Sequence, residues 1–287
     1  MFKVFLFLFV STLIYIDNSY GSSSEASGDG PKKWPYINQT FVDGTVQSPV
    51  NILSLDSYTA SLPSLLYFRY WREESVKIKI KNSGHSLHVR SLTTDEDVNQ
   101  TSAHITGGPL FEKKYTFSHV HIYWGNEGEE GSEHQINSQG YPIEVQMIHY
   151  KNEYEHYGNA INYPDGICII SYFGKLSDQD NPKLNALITA VEAVQYPKLY
   201  TFYSTFDVHF HWLMEVAKDY CYYAYPGSIT VHPFYQCVTW IIYENTFNIS
   251  PGQLAVFRSL KGTDGNYLTS IRRRALHPFN NRPLCYV

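Results

Sequence analysis

Two histidines and a tyrosine alternate with apolar residues in one short stretch of this chain. Residues 117–125 read Phe-Ser-His-Val-His-Ile-Tyr-Trp-Gly, which places His119, His121 and Tyr123 at every second position. This period of two predicts a β-strand with one polar and one apolar face. Two imidazoles on one face of a strand can supply two nitrogen ligands to a metal ion such as zinc. Histidines also occur simply as polar-face residues, so this stretch alone assigns no metal site.

Further motifs occur before and after this stretch. They are Gln-Ser-Pro-Val-Asn-Ile at 47–52, Gly-Gly-Pro-Leu at 107–110, Gly-Ser-Glu-His at 131–134, Glu-Val-Gln-Met-Ile-His-Tyr at 144–150, Tyr-Pro-Gly-Ser-Ile-Thr at 225–230 and Cys-Val-Thr-Trp at 237–240. In order and spacing the chain resembles the α-class carbonic anhydrases, from about residue 34 to residue 282. The resemblance implies an α+β, mainly β fold, with a single twisted, mostly antiparallel central sheet and helices on its surface.

The resemblance also implies where a catalytic zinc would bind, and two of its three ligand positions are changed. The family uses three histidines, two on the strand before Trp-Gly and one on the neighbouring strand. Aligned on Trp-Gly at 124–125 and on Glu144, these positions hold His121, Tyr123 and Gln146. A phenol has a reference pKa of about 10 and is a poor ligand when neutral, and an amide oxygen binds zinc more weakly than imidazole. We therefore expect no resident cofactor and no ordinary carbonic anhydrase activity.

Other site positions of the family keep their residues. The resemblance matches Thr230 to the threonine that orients zinc-bound hydroxide, Glu133 to its carboxylate partner, and His85 to the proton-shuttle histidine. Glu144 matches the carboxylate that supports the third histidine. The apolar substrate wall matches Ile148, Ile169, Ile229, Val238 and Trp240. We interpret this as a vestigial site in which Glu133 and Thr230 form a buried hydrogen-bonded pair.

An alternative retains a metal in the same cavity. By the family's layout, His88 and His119 also face the cavity beside His121, and His232 lies near its rim. Three imidazoles on adjacent strands suit zinc, so a displaced site at His88, His119 and His121 would give a metal-dependent carbonic anhydrase or esterase. Polar lining of the cavity explains the same residues equally well. A second His-x-His, at 209–212, falls in a segment that lies away from the cavity in the family.

The N-terminus predicts export of a single domain. Residues 1–21 begin with Lys3, continue with an apolar run at 4–16 and end with small residues, a pattern typical of a cleaved signal peptide. Residues 22–33 lack large apolar side chains and predict a flexible leader. A single domain is then expected at 34–287. We expect a secreted, extracellular protein without a membrane anchor.

The composition agrees with one exported domain. The 287 residues are 43% hydrophobic and 16% aromatic, which suffices for a sizeable core. A formal net charge of −5 favours neither nucleic acid nor an anionic membrane as a partner. Without zinc, we expect an extracellular binding or matrix module whose protein or matrix partner the sequence does not name.

Two kinds of extracellular modification are possible. Sequons at Asn38, Asn99 and Asn248 predict N-linked glycans, and Pro251 makes the last of these less favourable. The chain has four cysteines, which allow three complete disulfide pairings between which the sequence does not choose. They are Cys168, Cys221, Cys237 and Cys285.

Apolar patterning predicts the elements that position these residues. Alternation predicts strands at 76–80, 82–89, 115–124, 142–150, 166–174 and 237–243. Leucine, isoleucine and valine at helical spacing predict a surface helix at 181–194 that begins near Pro182.

Overall fold

The computed structural model describes residues 44–70, 76–92, 103–126, 131–197, 202–218, 221–268 and 274–287. The predicted signal peptide and leader, with Asn38 and Asn99, lie outside these ranges. The strands are β1 (Asn51–Ile52), β2 (Tyr58–Thr59), β3 (Leu66–Phe68), β4 (Lys77–Asn82), β5 (Leu87–Ser91), β6 (His104–Thr106), β7 (Tyr115–Trp124), β8 (Gln135–Ile136), β9 (Ile143–Lys151), β10 (Ile167–Leu176), β11 (Phe202–Thr205), β12 (Tyr222–Gly227), β13 (Val238–Ile249) and β14 (Cys285–Tyr286).

The helices of the described ranges are short. They are α1 (Tyr157–Ala160), α2 (Asn185–Ala193), α3 (Phe206–Phe210), α4 (Leu213–Val216) and α5 (Pro251–Arg258), with 3₁₀ turns at Ser54–Asp56, Gly108–Leu110, Asn152–Tyr154 and Pro182–Leu184. The best-defined start is that of α5, where Ser250 and Gln253 form a reciprocal capping box. No helix in this part of the chain is long and apolar enough to cross a membrane.

One twelve-stranded sheet organises the molecule. Its order is β11-β4-β5-β7-β9-β10-β13-β12-β14-β2, and β3 joins it through β6, which pairs with β7. Most neighbours are antiparallel, while β10–β13 and β14–β2 are parallel. The predicted mainly β fold with one large sheet is confirmed. The structure adds a separate parallel pair, β1 with β8, that the sequence did not predict.

The predicted elements occur close to their expected places. The strand predicted at 115–124 is β7, and the one predicted at 237–243 continues to Ile249. The turn between β4 and β5 contains Gly84 at a φ of 85°, a conformation that glycine adopts without strain. The helix predicted from residue 181 begins as a 3₁₀ turn and continues as α2.

A β-bulge in β7 decides which side chains reach the site. Phe117 pairs with His149 and His119 pairs with Ile148, so that Ser118 is an extra residue between them. Phe117 therefore joins the large buried cluster on one face of the sheet. His119 lies on the other face, beside the smaller apolar cluster that contains Ile148.

Candidate functional site

The three positions matched to zinc ligands lie together on two neighbouring strands. His121 of β7 and Gln146 of β9 are direct cross-strand partners. Tyr123 follows two residues along β7, opposite Glu144. The Tyr123 hydroxyl oxygen lies 3.5 Å from His121 Nδ1. The sheet register therefore gathers these side chains into one cluster.

Gln146 connects two buried carboxyl groups. Its amide nitrogen donates to Glu133 Oε2 at 3.0 Å and to Glu144 Oε1 at 2.8 Å. Thr230 Oγ1 also donates to Glu133 Oε2, at 2.7 Å. The predicted buried pair of Glu133 and Thr230 is confirmed, and Gln146 extends it to the neighbouring strand.

Glu144 is the most completely hydrogen-bonded carboxylate of the site. Its Oε2 accepts the backbone N–H groups of Glu133 and His134, at 2.7 and 3.0 Å. Its Oε1 accepts the Ser171 hydroxyl at 2.8 Å and lies 3.0 Å from His134 Nδ1. Burial alone would raise the pKa of Glu144, but the electrostatic interaction with His134 and these hydrogen-bond donors lower it overall.

His134 and Tyr225 were not predicted as site residues. His134 Nε2 lies 2.7 Å from the Tyr225 hydroxyl oxygen, which in turn lies 2.9 Å from Ser48 Oγ. Because all three side chains are fully buried, this chain of contacts fixes the His134 ring beside Glu144. The sequence signal was present, since His134 directly follows Glu133 in the Gly-Ser-Glu-His motif.

Burial makes the other polar groups of the cluster neutral. Burial, and then the negative charge of Glu144, raise the pKa of Glu133 to about 8. Burial, and then the charge of Glu133, raise the pKa of the Tyr123 phenol well above its usual value. Burial, with smaller contributions from His88 and Arg90, lowers the pKa of His121 to about 4. At neutral pH the cluster is thus an acid, a phenol and an imidazole, all mostly uncharged.

These residues do not fit a catalytic zinc. Such a site needs three strong protein ligands and one open position. His121 supplies one imidazole, Tyr123 supplies a phenol that burial keeps neutral, and Gln146 donates its amide hydrogens to carboxyl groups. Across the described ranges, no group of three or more histidine, cysteine, aspartate or glutamate side chains is arranged to hold a metal ion.

The residues of the alternative metal site are close but not convergent. The ring centroids of His119 and His121 are 4.7 Å apart. Together with His88 they line a cavity of about 20 Å³. His119 Nδ1 is paired with the Ser118 hydroxyl at 2.8 Å. Within the described ranges, these three histidines are thus not arranged as a metal-binding group.

Two larger cavities meet at His121 and Val231. The first, of about 490 Å³, is lined by Tyr123 and by His85, which is exposed at the position matched to the proton shuttle. The second, of about 480 Å³, is lined by residues of the strands β5 and β7, of the α1 region and of the loop that follows β12. They include Arg90, Ser118, His119, Tyr157, Ile229, His232 and Tyr235.

The five residues matched to the apolar wall belong to one buried cluster. All of them are at most 6% exposed, and Ile229 lines the second cavity. The wall is therefore packed beneath the site. The five wall residues are Ile148, Ile169, Ile229, Val238 and Trp240.

The remaining sequence candidates lie elsewhere. In the second His-x-His, His209 belongs to α3 and is buried, while His211 follows the helix and contacts Asp207 at 2.7 Å. Asn248 is exposed on β13. The four cysteines are free thiols, so the structure selects none of the possible disulfide pairings.

A large, mainly antiparallel sheet that carries His121 on a central strand, with the loop residues Glu133 and Thr230 beside it, is the arrangement expected of the carbonic anhydrase class of protein. The model of the eukaryotic-type carbonic anhydrases matches residues 29–287. The chain belongs to the eukaryotic-type carbonic anhydrase family. The resemblance predicted from its motifs is thus confirmed at the level of the family.

Named relatives agree with this assignment. The chain is 31% identical over 233 residues to carbonic anhydrase 7 of Mus musculus, which covers 81% of this chain and 83% of the relative. It is 31% identical over 254 residues to carbonic anhydrase 7 of Homo sapiens, which covers 88% of this chain and 89% of the relative. The similarity therefore spans most of both chains.

Proposed function

We propose that this protein is a secreted carbonic anhydrase-related protein that holds no catalytic zinc and acts as an extracellular binding or matrix module. The observation that carries the proposal is the position of Gln146, whose amide donates to both Glu133 and Glu144. A side chain that satisfies two buried carboxyl groups is part of the packed interior, where unpaired polar groups are costly.

Tyr123 supports the same proposal. Its hydroxyl group is within hydrogen-bonding reach of Glu133 and Thr230, besides its contact with His121. The phenol thus lies between the retained histidine and the retained Glu133–Thr230 pair. That arrangement leaves the polar groups of the former site bonded to one another and holds the strands together without a metal ion.

Metal content and activity test the proposal directly. The protein would be purified from secretory cells without added metal, then analysed for zinc by mass spectrometry and for CO2 hydration by stopped flow. We expect far less than one zinc per chain and no hydration above the uncatalysed rate. Near-stoichiometric zinc with measurable hydration would overturn the proposal.

Export is tested by the N-terminus of the secreted product. Cleavage of the predicted signal should give a mature chain that begins close to residue 22. Retention of the full-length chain inside the cells would contradict the extracellular role while leaving the proposed loss of zinc untouched.

A second candidate function is a metal-dependent carbonic anhydrase or esterase that uses His88, His119 and His121. The observation that favours it is the short distance between the His119 and His121 rings, 4.7 Å. Stoichiometric zinc that is lost on His119→Ala would establish this site. Zinc that is unaffected by His119→Ala would exclude it.

A further inference from the structure

Four basic side chains form a strip on the outer part of the sheet. Lys77, Lys79 and Lys81 lie at alternate positions of β4, separated by fully buried isoleucines, so that they share the face opposite the large core. Arg90 of β5 is the cross-strand partner of Lys79. We call these four residues the basic strip. Successive lysines on such a strand are spaced by about 7 Å.

Among the described residues, no acidic side chain pairs with the basic strip. Within the described ranges, none of its four side chains makes an ion pair or a side-chain hydrogen bond. Lys79 contacts the ring of Tyr203 on β11, with its nitrogen 5.6 Å from the ring centroid. The chain as a whole carries a formal charge of −5. A local cluster of like charges on an acidic protein costs self-repulsion, which a bound anion would relieve.

The basic strip continues into the 480 Å³ cavity. Arg90 is the cross-strand partner of His119, and both line that cavity. Lys81 is the cross-strand partner of His88. Imidazole N–H groups therefore extend the row of possible donors from the strip to the cavity.

The types of side chain indicate the chemistry of the anion. A lysine ammonium is a point charge with three rotatable donors, which suits tetrahedral oxyanions such as sulfate. Lysine is an established binder of phosphate-type oxyanions as a point charge, and three of the four residues of the strip are lysines. Regularly spaced charges along a strand suit an extended ligand with repeated anionic groups.

We infer that the basic strip of Lys77, Lys79, Lys81 and Arg90 binds a sulfated polysaccharide. This inference rests on the proposed extracellular role, because sulfated polysaccharides are ligands of exported proteins. It does not depend on the state of the zinc positions, which lie on other strands.

Retention on immobilised heparin tests the inference with matched variants. The mature secreted protein would be compared with Lys79→Ala/Lys81→Ala and with the control Lys114→Ala/Lys175→Ala, which removes the same charge outside the strip. We expect the wild type and the control to elute at similar salt and the strip variant to elute much earlier. The strip variant loses two contacts between a lysine and an anionic group. The plot of log affinity against log salt should therefore become less steep by about 2.

Further ligands distinguish recognition of sulfate from general attraction between charges. Weaker retention on desulfated heparin and weaker binding to duplex DNA of similar length would support recognition of sulfate on a polysaccharide. If both double variants lost retention equally, or if DNA bound as tightly as heparin, the binding would reflect only general charge attraction. Either result would overturn the inference. No retention of the wild type near 0.15 M salt would also overturn it. Thermal melting of each variant checks that the fold is kept. Zinc content is measured separately, so a lack of heparin binding would leave the proposed function undecided.

Discussion

On β9, the Gln146 amide nitrogen lies 2.8 Å from Oε1 of Glu144, two residues earlier on the same strand. Alternate residues of a strand share a face, so Glu144 is placed to accept an N–H from whatever side chain occupies position 146. Here that N–H belongs to the Gln146 amide. Under the proposed function, the carboxylate has kept its place while an amide has replaced a zinc-binding histidine as its partner.

Glu144 should be the polar side chain of the site on which stability depends most. We expect Glu144→Gln to lower the free energy of unfolding by about 3–5 kcal/mol, because it leaves the buried His134 without its charged partner. Ser171→Ala removes one donor of several and should cost about 1 kcal/mol. Chemical denaturation measures both. Glu153→Gln is the control, because its carboxyl group is half-exposed and Lys151 keeps its ion pair with Asp165, so the loss should be less than about 1 kcal/mol.

Glu133 should make stability depend on pH. Its pKa is raised to about 8 in the folded chain, compared with 4.5 as the usual value, so the folded state binds its proton more tightly. The stabilisation is complete below pH 4.5 and is lost as the pH rises towards 8. Each pH unit in this window should cost on the order of 1.4 kcal/mol relative to Glu133→Gln. Melting curves at several pH values test this, and parallel pH profiles of wild type and variant would contradict it.

Much of the site could be predicted from local patterns. The alternation around His121 predicted β7, and the Glu-x-Gln pattern placed Glu144 and Gln146 on one face of β9. Both inferences need only the period of two that a strand imposes. The pair of Glu133 and Thr230 followed from the resemblance, because a carboxyl group and a hydroxyl group kept in a former metal site must bond to each other when buried.

The rest depends on tertiary register. The bulge at Ser118 separates Phe117 from the face of His119, and the alternation around His121 does not by itself show where the partner strand changes register. The contact of His134 with Tyr225 joins residues that are 91 positions apart. The basic strip was also missed, because Lys79 and Arg90 become neighbours only when β4 and β5 pair. The net charge conceals such a local cluster.

Glycosylation should be detectable on the secreted protein. Asn38 and Asn99 lie in polar sequence, and Asn248 has an exposed side chain on β13. We expect glycans at the first two sites and lower occupancy at Asn248, because Pro251 follows its sequon directly. Mass spectrometry before and after glycosidase treatment measures each site. An unchanged mass in all three peptides would contradict both the sequons and export.

Reversal of the two changed positions should restore zinc binding. In Tyr123→His/Gln146→His, the new imidazoles would join His121 on facing positions of β7 and β9. Glu144 would accept an N–H from a histidine at 146, as it now accepts the Gln146 amide. Tyr123→His also removes the phenol from beside the Glu133–Thr230 pair, which is already formed at 2.7 Å. We expect close to one zinc per chain and measurable CO2 hydration.

The two single variants are the controls for this reversal. Each supplies only two histidines, so both should bind zinc much more weakly than the double variant. Hydration by the double variant should remain below that of an ordinary family enzyme, because Val231 and His232 replace the Thr-Pro that usually follows the orienting threonine. Zinc content and hydration rate are measured for all four proteins. A double variant that folds without binding zinc would show that His121, Tyr123 and Gln146 are not the ligand positions, and equal hydration by wild type would show that its site is not silent.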